Sequence, residues 1–167
     1  MALRLSDALS RDMQSRPYTP DDFLTLYAIE EVCFQPPLRF DRDYMWRLVH
    51  SRGTATWIAE ENGRMAGFAI VEGIRKSIGA AAYILTLEVL PEFRHRGIGS
   101  ELLRCVEDSA RVANAATLGL HVDATNAGAI RLYEAHGFRC EGREENFYPP
   151  GRAALIYRKV LHTTEPG

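Results

Sequence analysis

Leu87-Glu88-Val89-Leu90-Pro91-Glu92-Phe93-Arg94-His95-Arg96-Gly97-Ile98-Gly99-Ser100-Glu101-Leu102-Leu103 is the stretch whose reading decides the fold. With the preceding Ala81 to Thr86 it makes a nearly continuous apolar run to Leu90, closed by Pro91, as a central strand covered on both faces requires. The chain then turns through a basic, glycine-bearing segment into a helix predicted from Gly97 to about Ala113, where Ile98, Leu102, Leu103, Val106 and Ala110 share one face. A helix entered in this way offers free backbone N–H groups and the positive end of its dipole to an anion. Gly97 and Gly99 leave the backbone open to a pyrophosphate, and Arg94 and Arg96 add charge to what the amides position. Two rival phosphate turns are absent. The dinucleotide fingerprint needs a third glycine where Leu102 stands, and the nucleotide-triphosphate loop needs Gly-Lys-Ser or Gly-Lys-Thr.

Upstream, Asp21-Asp22 signals the start of a helix through Phe23, Leu26, Tyr27 and Ile29 to about Cys33, ended by Phe34-Gln35-Pro36-Pro37. A second helix starts near Asp41, includes Tyr44, Met45, Leu48 and Val49, and stops at Arg52-Gly53. Two strands flank Asn62-Gly63, a strong hairpin signal. Downstream come a strand from Thr117 to Val122, a helix from Asn126 to His136 stopped by Gly137, and strands near Arg139 to Tyr148 and Ala153 to Val160. The fold class is α/β with a mixed sheet, in which a central strand leads through a helix to a parallel neighbour. Residues 16–162 form the domain, residues 1–15 an N-terminal extension with no assigned structure, and residues 163–167 a tail.

A chain of 167 residues fits one core, and 46% hydrophobic with 25% charged residues is ordinary for a globular protein. A net charge of −2 provides no field for nucleic acid or a membrane surface, so neither is an expected partner. Cys33, Cys105 and Cys140 are odd in number and far apart, which argues against disulfides and a zinc site; no metal is expected and the reducing cytoplasm is the natural setting. No secretory or transit pattern opens the chain, and no apolar run approaches the roughly 18 residues of a membrane span. Monomer and homodimer both remain open.

Arg94-x-x-Gly97-x-Gly99 is followed by Asn126-Ala127-Gly128-Ala129-Ile130-Arg131-Leu132-Tyr133-Glu134-Ala135-His136-Gly137-Phe138. Together these resemble the coenzyme A signature of the GCN5-related N-acetyltransferase (GNAT) family, over roughly Thr19 to Val160. The resemblance implies a GNAT fold: a mixed, mostly antiparallel sheet flanked by helices, with the parallel crossover at the acetyl-CoA site. It also implies that Leu87 and Val89 line the pantetheine arm, that Arg94, His95, Arg96, Gly97, Ile98, Gly99 and Ser100 hold the pyrophosphate, that Asn126 and Ala129 meet the pantetheine, and that Tyr133 lies beside the sulfur.

Acetyl transfer to an amine needs a base, because only the unprotonated amine attacks, and an acid for the departing thiolate. Tyr133 suits the acid as a phenol with a reference pKa of about 10. His121 suits the base: Leu118, Leu120 and Val122 share one strand face, which leaves His121 on the other. The segments Tyr83-Ile84-Leu85-Thr86-Leu87 and Leu120-His121-Val122 resemble a subset of protein N-alpha-acetyltransferases with a catalytic tyrosine and histidine, which fall on Tyr83 and His121. Strand parity sets Glu88 with Ile84 and Thr86, opposite Tyr83, so Glu88 ranks second as base. No cysteine has a histidine partner in view, which argues against a cysteine nucleophile.

Cys33-Phe34-Gln35-Pro36-Pro37 and Asn146-Phe147-Tyr148-Pro149 resemble the loops with which such enzymes, and the ribosomal-protein alanine acetyltransferase, enclose a peptide N-terminus. Phe147 stands where many relatives have a second tyrosine. Phe34, Pro36 and Tyr148 are therefore the expected acceptor-binding residues. The reading is an acetyl-CoA-dependent N-acetyltransferase acting on a protein or peptide α-amine, with a small-amine acetyltransferase and a non-catalytic acetyl-CoA sensor as alternatives.

Overall fold

In the computed structural model, which describes residues 12–73 and 80–161, the chain runs through β1 (Met13–Pro17), α1 (Phe23–Cys33), α2 (Arg42–Val49), β2 (Thr54–Glu61), β3 (Arg64–Glu72), β4 (Ala81–Val89), α3 (Ile98–Val112), β5 (Thr117–Asp123), α4 (Ala127–Ala135), β6 (Arg139–Tyr148) and β7 (Arg152–Val160). The strands form one sheet in the order β1-β2-β3-β4-β5-β7-β6, and only β4 and β5 pair in parallel. Residues 1–11 of the expected N-terminal extension, His162 and the 163–167 tail lie outside the described residues.

The extension needs a correction at its end. Met13–Ser15 belong to β1, which pairs with β2 from Met13↔Glu61 to Pro17↔Trp57. This strand is short and mostly exposed at the sheet edge, so it carries no apolar alternation by which to read it, and Pro17 is tolerated because one side of an edge strand needs no partner.

The helix boundaries follow local chemistry. The Asp41 carboxylate caps α2 by accepting from Asp43 and Tyr44 N–H. Asp22 makes no such cap; it closes a 3-10 turn ahead of α1, accepting the Thr19 N–H at 2.8 Å and the Arg16 guanidinium. Asn62 and Gly63 take positive φ in the β2–β3 hairpin.

Each face of the sheet has its own core. On one face α1 and α2 cover Ile58, Phe68 and Ile70 with Phe23, Leu26, Ile29 and Met45. On the other, α3 and α4 cover Ala69, Val71, Ala82, Ile84, Leu118 and Leu120 with Ile98, Leu102, Leu103, Val106 and Tyr133.

Two irregularities in β4 make the site. The first is a bulge: Ile70 pairs with Thr86 and Val71 with Ile84, so Leu85 has no partner on β3. Ahead of it Ala82 and Ile84 face α3; beyond it Thr86 and Glu88 pair with Ile70 and Phe68 on the α1 face. Glu88 therefore shares a face with Tyr83, and the parity expected for Glu88 is overturned, because an inserted residue reverses every later side chain in a strand of period two. The second is a splay. Parallel pairing covers Ala81↔Thr117, Ala82↔Leu118 and Tyr83↔Gly119, after which β4 follows β3 to Val89 while β5 follows β7 to Asp123, opening a gap between them.

Candidate active site

A cavity of about 170 Å³ occupies this gap. From β4 it is lined by Ile84, Leu85, Thr86 and Leu87, and from β5 by Leu120, His121, Val122 and Asp123. Asn126, Ala129 and Tyr133 close it from α4; Glu30, Phe34, Leu38 and Phe40 close it from α1 and the loop after it; Tyr148 and Arg152 add the β6–β7 hairpin. Because its lining comes from both faces, the cavity joins the α1 side of the sheet to the α3–α4 side.

On the α1 side His121 points away from the core, as its parity implied. Its Nδ1 lies 2.8 Å from the Tyr83 hydroxyl and its Nε2 2.9 Å from Glu144 Oε2, while the Phe147 ring stacks on it at 4.4 Å between centroids and 5° between planes. Tyr83 does not itself line the cavity, but it lies close enough to Tyr133 and Tyr148, which do, to help raise both of their pKa values.

Tyr133 enters from the opposite side, 6% exposed and packed edge-on to Phe138, and its hydroxyl has no hydrogen-bond partner among the described residues. Burial, with Tyr148 and Tyr83 nearby, holds its phenol well above the ordinary range. Burial also raises Tyr83 and pushes Tyr148 up to about 12. At neutral pH all three are neutral O–H donors.

Two acids, Glu30 in the cavity lining and Glu88 on β4, are buried on the α1 side. Glu88 Oε2 accepts from Thr86 Oγ1 at 2.8 Å, and Glu30 Oε1 accepts the Phe40 N–H at 2.8 Å. The remaining oxygens, Glu88 Oε1 and Glu30 Oε2, are buried without a donor. Burial first, and the facing Glu30 second, drive the Glu88 pKa well above the usual carboxylate range. A proton retained on Glu88 is the donor that Glu30 lacks. Cys33 adjoins them, its thiol pushed up to about 11 by burial and Glu88, so it is protonated and no nucleophile.

The turn before α3 is built for an anion. His95 and Gly97 take φ of 61° and 86°, and α3 starts with no side-chain cap. A Cβ at Gly97 would meet nothing within 4 Å, so the space beside this residue at the start of α3 is open. Gly99 is different: a Cβ there would stand 3.1 Å from Leu132 Cδ2 and 4.0 Å from Leu87 Cδ2, so its missing side chain allows α3 to approach α4 and β4 closely rather than clearing a pyrophosphate path.

The turn's side chains are engaged elsewhere. Arg96 is paired with the buried Glu61 at 2.9 Å, Arg94 Nε donates to Val89 O at 3.0 Å, and Ile98 is buried in the core. Ser100 Oγ lies 3.1 Å from His136 Nε2. Asn126 Oδ1 accepts the Ala129 N–H to cap α4, which leaves its side-chain NH₂ for the cavity. An uncapped helix start beside open space, opening to a gap between strands, fits a long phosphate-bearing arm such as that of coenzyme A.

The structure thus gathers Leu87, His121, Asn126, Ala129, Tyr133, Phe34 and Tyr148 around one cavity. Pro36 is exposed on its loop outside the lining, to which the same loop contributes Leu38 and Phe40. Glu30, Glu144 and Arg152 were missed by sequence reasoning. For Glu30 the available signal was its place one helical turn before Phe34. For Glu144 there was none, because its partner lies two strands away across β7.

The acetyltransferase (GNAT) family matches residues 21–138, and this chain belongs to that family. The [ribosomal protein bS18]-alanine N-acetyltransferase of Escherichia coli strain K12 is 37% identical over 89 residues, 53% of this chain and 57% of that protein. The chain thus spans a little over half the length of this curated relative. The catalytic subunit NAA10 of the N-terminal acetyltransferase A complex of Arabidopsis thaliana is 28% identical over 149 residues, 87% of this chain and 77% of that protein. Arabidopsis thaliana Naa50, solved in complex with the bisubstrate analogue CoA-Ac-MVNAL, superposes with a TM-score of 0.76 at 28% identity, covering 89% of this chain and 99% of that one.

Proposed function

We propose that the chain is an N-acetyltransferase that moves acetyl from acetyl-CoA directly to the α-amine of a protein or peptide N-terminus. One observation carries this reading: the cavity passes through the sheet between β4 and β5, with His121 on the α1 side and the Tyr133 hydroxyl on the α4 side. Donor and acceptor can then enter from opposite faces and meet in the gap.

Acetyl-CoA supplies the acetyl group as a thioester. The first amides of α3 beyond Gly97, the edge of β4 at Leu87 to Val89 and the Asn126 amide are the groups that would hold it. His121, with Tyr83, takes the proton that the amine must lose, and Tyr133 Oη holds a proton for the departing sulfur. Phe34, Leu38 and Phe40 offer an apolar wall to the first side chain of an acceptor peptide, and acidic groups around the cavity suit an incoming ammonium. The likeness to enzymes named for protein N-termini favours this acceptor over a small amine, and the site groups favour turnover over sensing.

All of these groups come from one chain, whose sheet includes Met13–Pro17. The three free thiols suit a reducing cytoplasm, where we place the protein. Among the described residues no helix is long and apolar enough to cross a membrane.

The test is incubation of the purified protein with acetyl-CoA and three acceptors: a peptide with a free N-terminus, the same peptide Nα-blocked but carrying a lysine, and a panel of polyamines and amino acids. Thiol release with one acetyl group added to the free α-amine is expected. Turnover with the small amines alone would overturn the acceptor, and no thiol release with any of them would overturn the activity.

A further inference from the structure

His121 has two ring nitrogens, and both are occupied. Nε2 meets Glu144 Oε2 at 2.9 Å; an ionised carboxylate can only accept, so Nε2 carries the hydrogen. Nδ1 is then a bare acceptor, and the Tyr83 hydroxyl at 2.8 Å is its donor. The register explains the contact: His121 pairs with Ile156, Glu144 with Ala154, and Ile156 and Ala154 are two apart on β7, so His121 and Glu144 emerge on one face across β7. Beyond Glu144 the β6 register shifts before Tyr148, and within that irregularity Phe147 lies flat on the imidazole.

We propose that Glu144 is a positioning residue of the acceptor site, holding His121 as its Nε2–H tautomer so that Nδ1 receives, through the Tyr83 hydroxyl, the proton released by the amine. This rests on the reading of His121 and Tyr83 given above. The amine proton passes to Tyr83 Oη as the hydroxyl's own proton passes to His121 Nδ1. Tyr83 is left neutral, and the imidazolium keeps both N–H groups, one directed at Tyr83 and the other at the Glu144 carboxylate. Without Glu144 the ring is free to place its hydrogen on Nδ1, where it points at Tyr83 and can accept nothing. Glu144 is not itself among the residues that line the cavity; it reaches the site through its contact with His121, which is.

The experiment combines nitrogen-15 histidine NMR of the full-length protein with kinetics of Glu144→Ala, Glu144→Gln, His121→Ala and the double variant His121→Ala/Glu144→Ala. In the wild type, His121 is expected as the Nε2–H tautomer. Glu144→Ala loses that single tautomer and lowers kcat about 10- to 100-fold, less than loss of the base itself, with KM for acetyl-CoA unchanged. Glu144→Gln, whose amide oxygen can still accept, recovers the tautomer and part of the rate. In the His121→Ala background, removing Glu144 adds no further loss.

An Nδ1–H tautomer in the wild type overturns the proposal whatever the rates. So does an equal loss from Glu144→Ala in both backgrounds, which would make Glu144 part of the hairpin's structure only. Full activity of His121→Ala would instead remove the base assignment, and the NMR arm distinguishes that failure because it reads the ring without turnover.

Discussion

At the scale of single residues the site separates two proton tasks by two faces of one sheet. His121 and Tyr83 form a hydrogen-bonded pair on the α1 side, and in the proposed mechanism the imidazole is the acceptor of the amine proton. His121→Ala is expected to lower kcat by on the order of 10² to 10⁴, with acetyl-CoA affinity retained because the phosphate turn lies elsewhere; rates and calorimetry on one preparation check both halves. Tyr133 stands alone on the other side, a buried phenol with no partner among the described residues. Tyr133→Phe keeps the ring packed on Phe138 and deletes only the proton donor, so kcat should fall about 10- to 100-fold while the acetyl-CoA dissociation constant stays within about twofold, as stopped-flow and binding measurements would show. The side of the sheet that His121 occupies was legible because it follows from the strand period, while Tyr133 and Asn126 were picked out by the motif they belong to; all three line the cavity. Which residues of the loop after α1 line the cavity was not legible, because a loop has no period; Leu38 and Phe40 do and Pro36 does not.

Among the elements, the decisive event is one extra residue. The bulge at Leu85 turns Glu88 toward α1, where Glu30 waits with an oxygen that lacks a donor. No reading by strict alternation could place them together, since a bulge leaves little mark in an apolar run such as Tyr83 to Leu87. The regular elements other than β1, by contrast, were readable to within about three residues, because caps, turn residues and the 3.6 and 2.0 periods agree with one another along most of the chain. The buried acids predict a pH dependence. Glu88 has a raised native pKa, so between the ordinary carboxylate value near 4.5 and that raised value the folded protein holds a proton that the unfolded chain has released. Unfolding free energy therefore falls as pH rises through this window, and the contribution is intact only below it. Glu88→Gln, neutral at every pH and able to donate to Glu30, should remove this decline and raise Tm at pH 8 by roughly 2–6 °C, with little difference at pH 4.5. Calorimetric melts of both proteins across that range decide it; parallel curves would mean that no proton is shared.

For the whole molecule, the splay between β4 and β5 sets both binding and stability. A molecule that spans the turn before α3 and the gap binds only the folded state, so acetyl-CoA at about 100 times its Kd should add about 2.7 kcal/mol to stability. NAD and ATP can reach the turn but carry no arm to fill the gap, and a thermal-shift series at equal concentrations should rank them well below acetyl-CoA; equal shifts would show that the turn alone makes the site.

The seam has a further consequence in the life of the protein. Beyond three paired positions, β4 and β5 present facing rows of backbone groups that no strand satisfies, and the two halves of the sheet are tied there by little but the cores beneath them. Proteases act on transiently opened chains in proportion to how often they open. A ligand that bridges the two halves lowers the population of opened chain, so limited proteolysis of the purified protein should slow when acetyl-CoA is added.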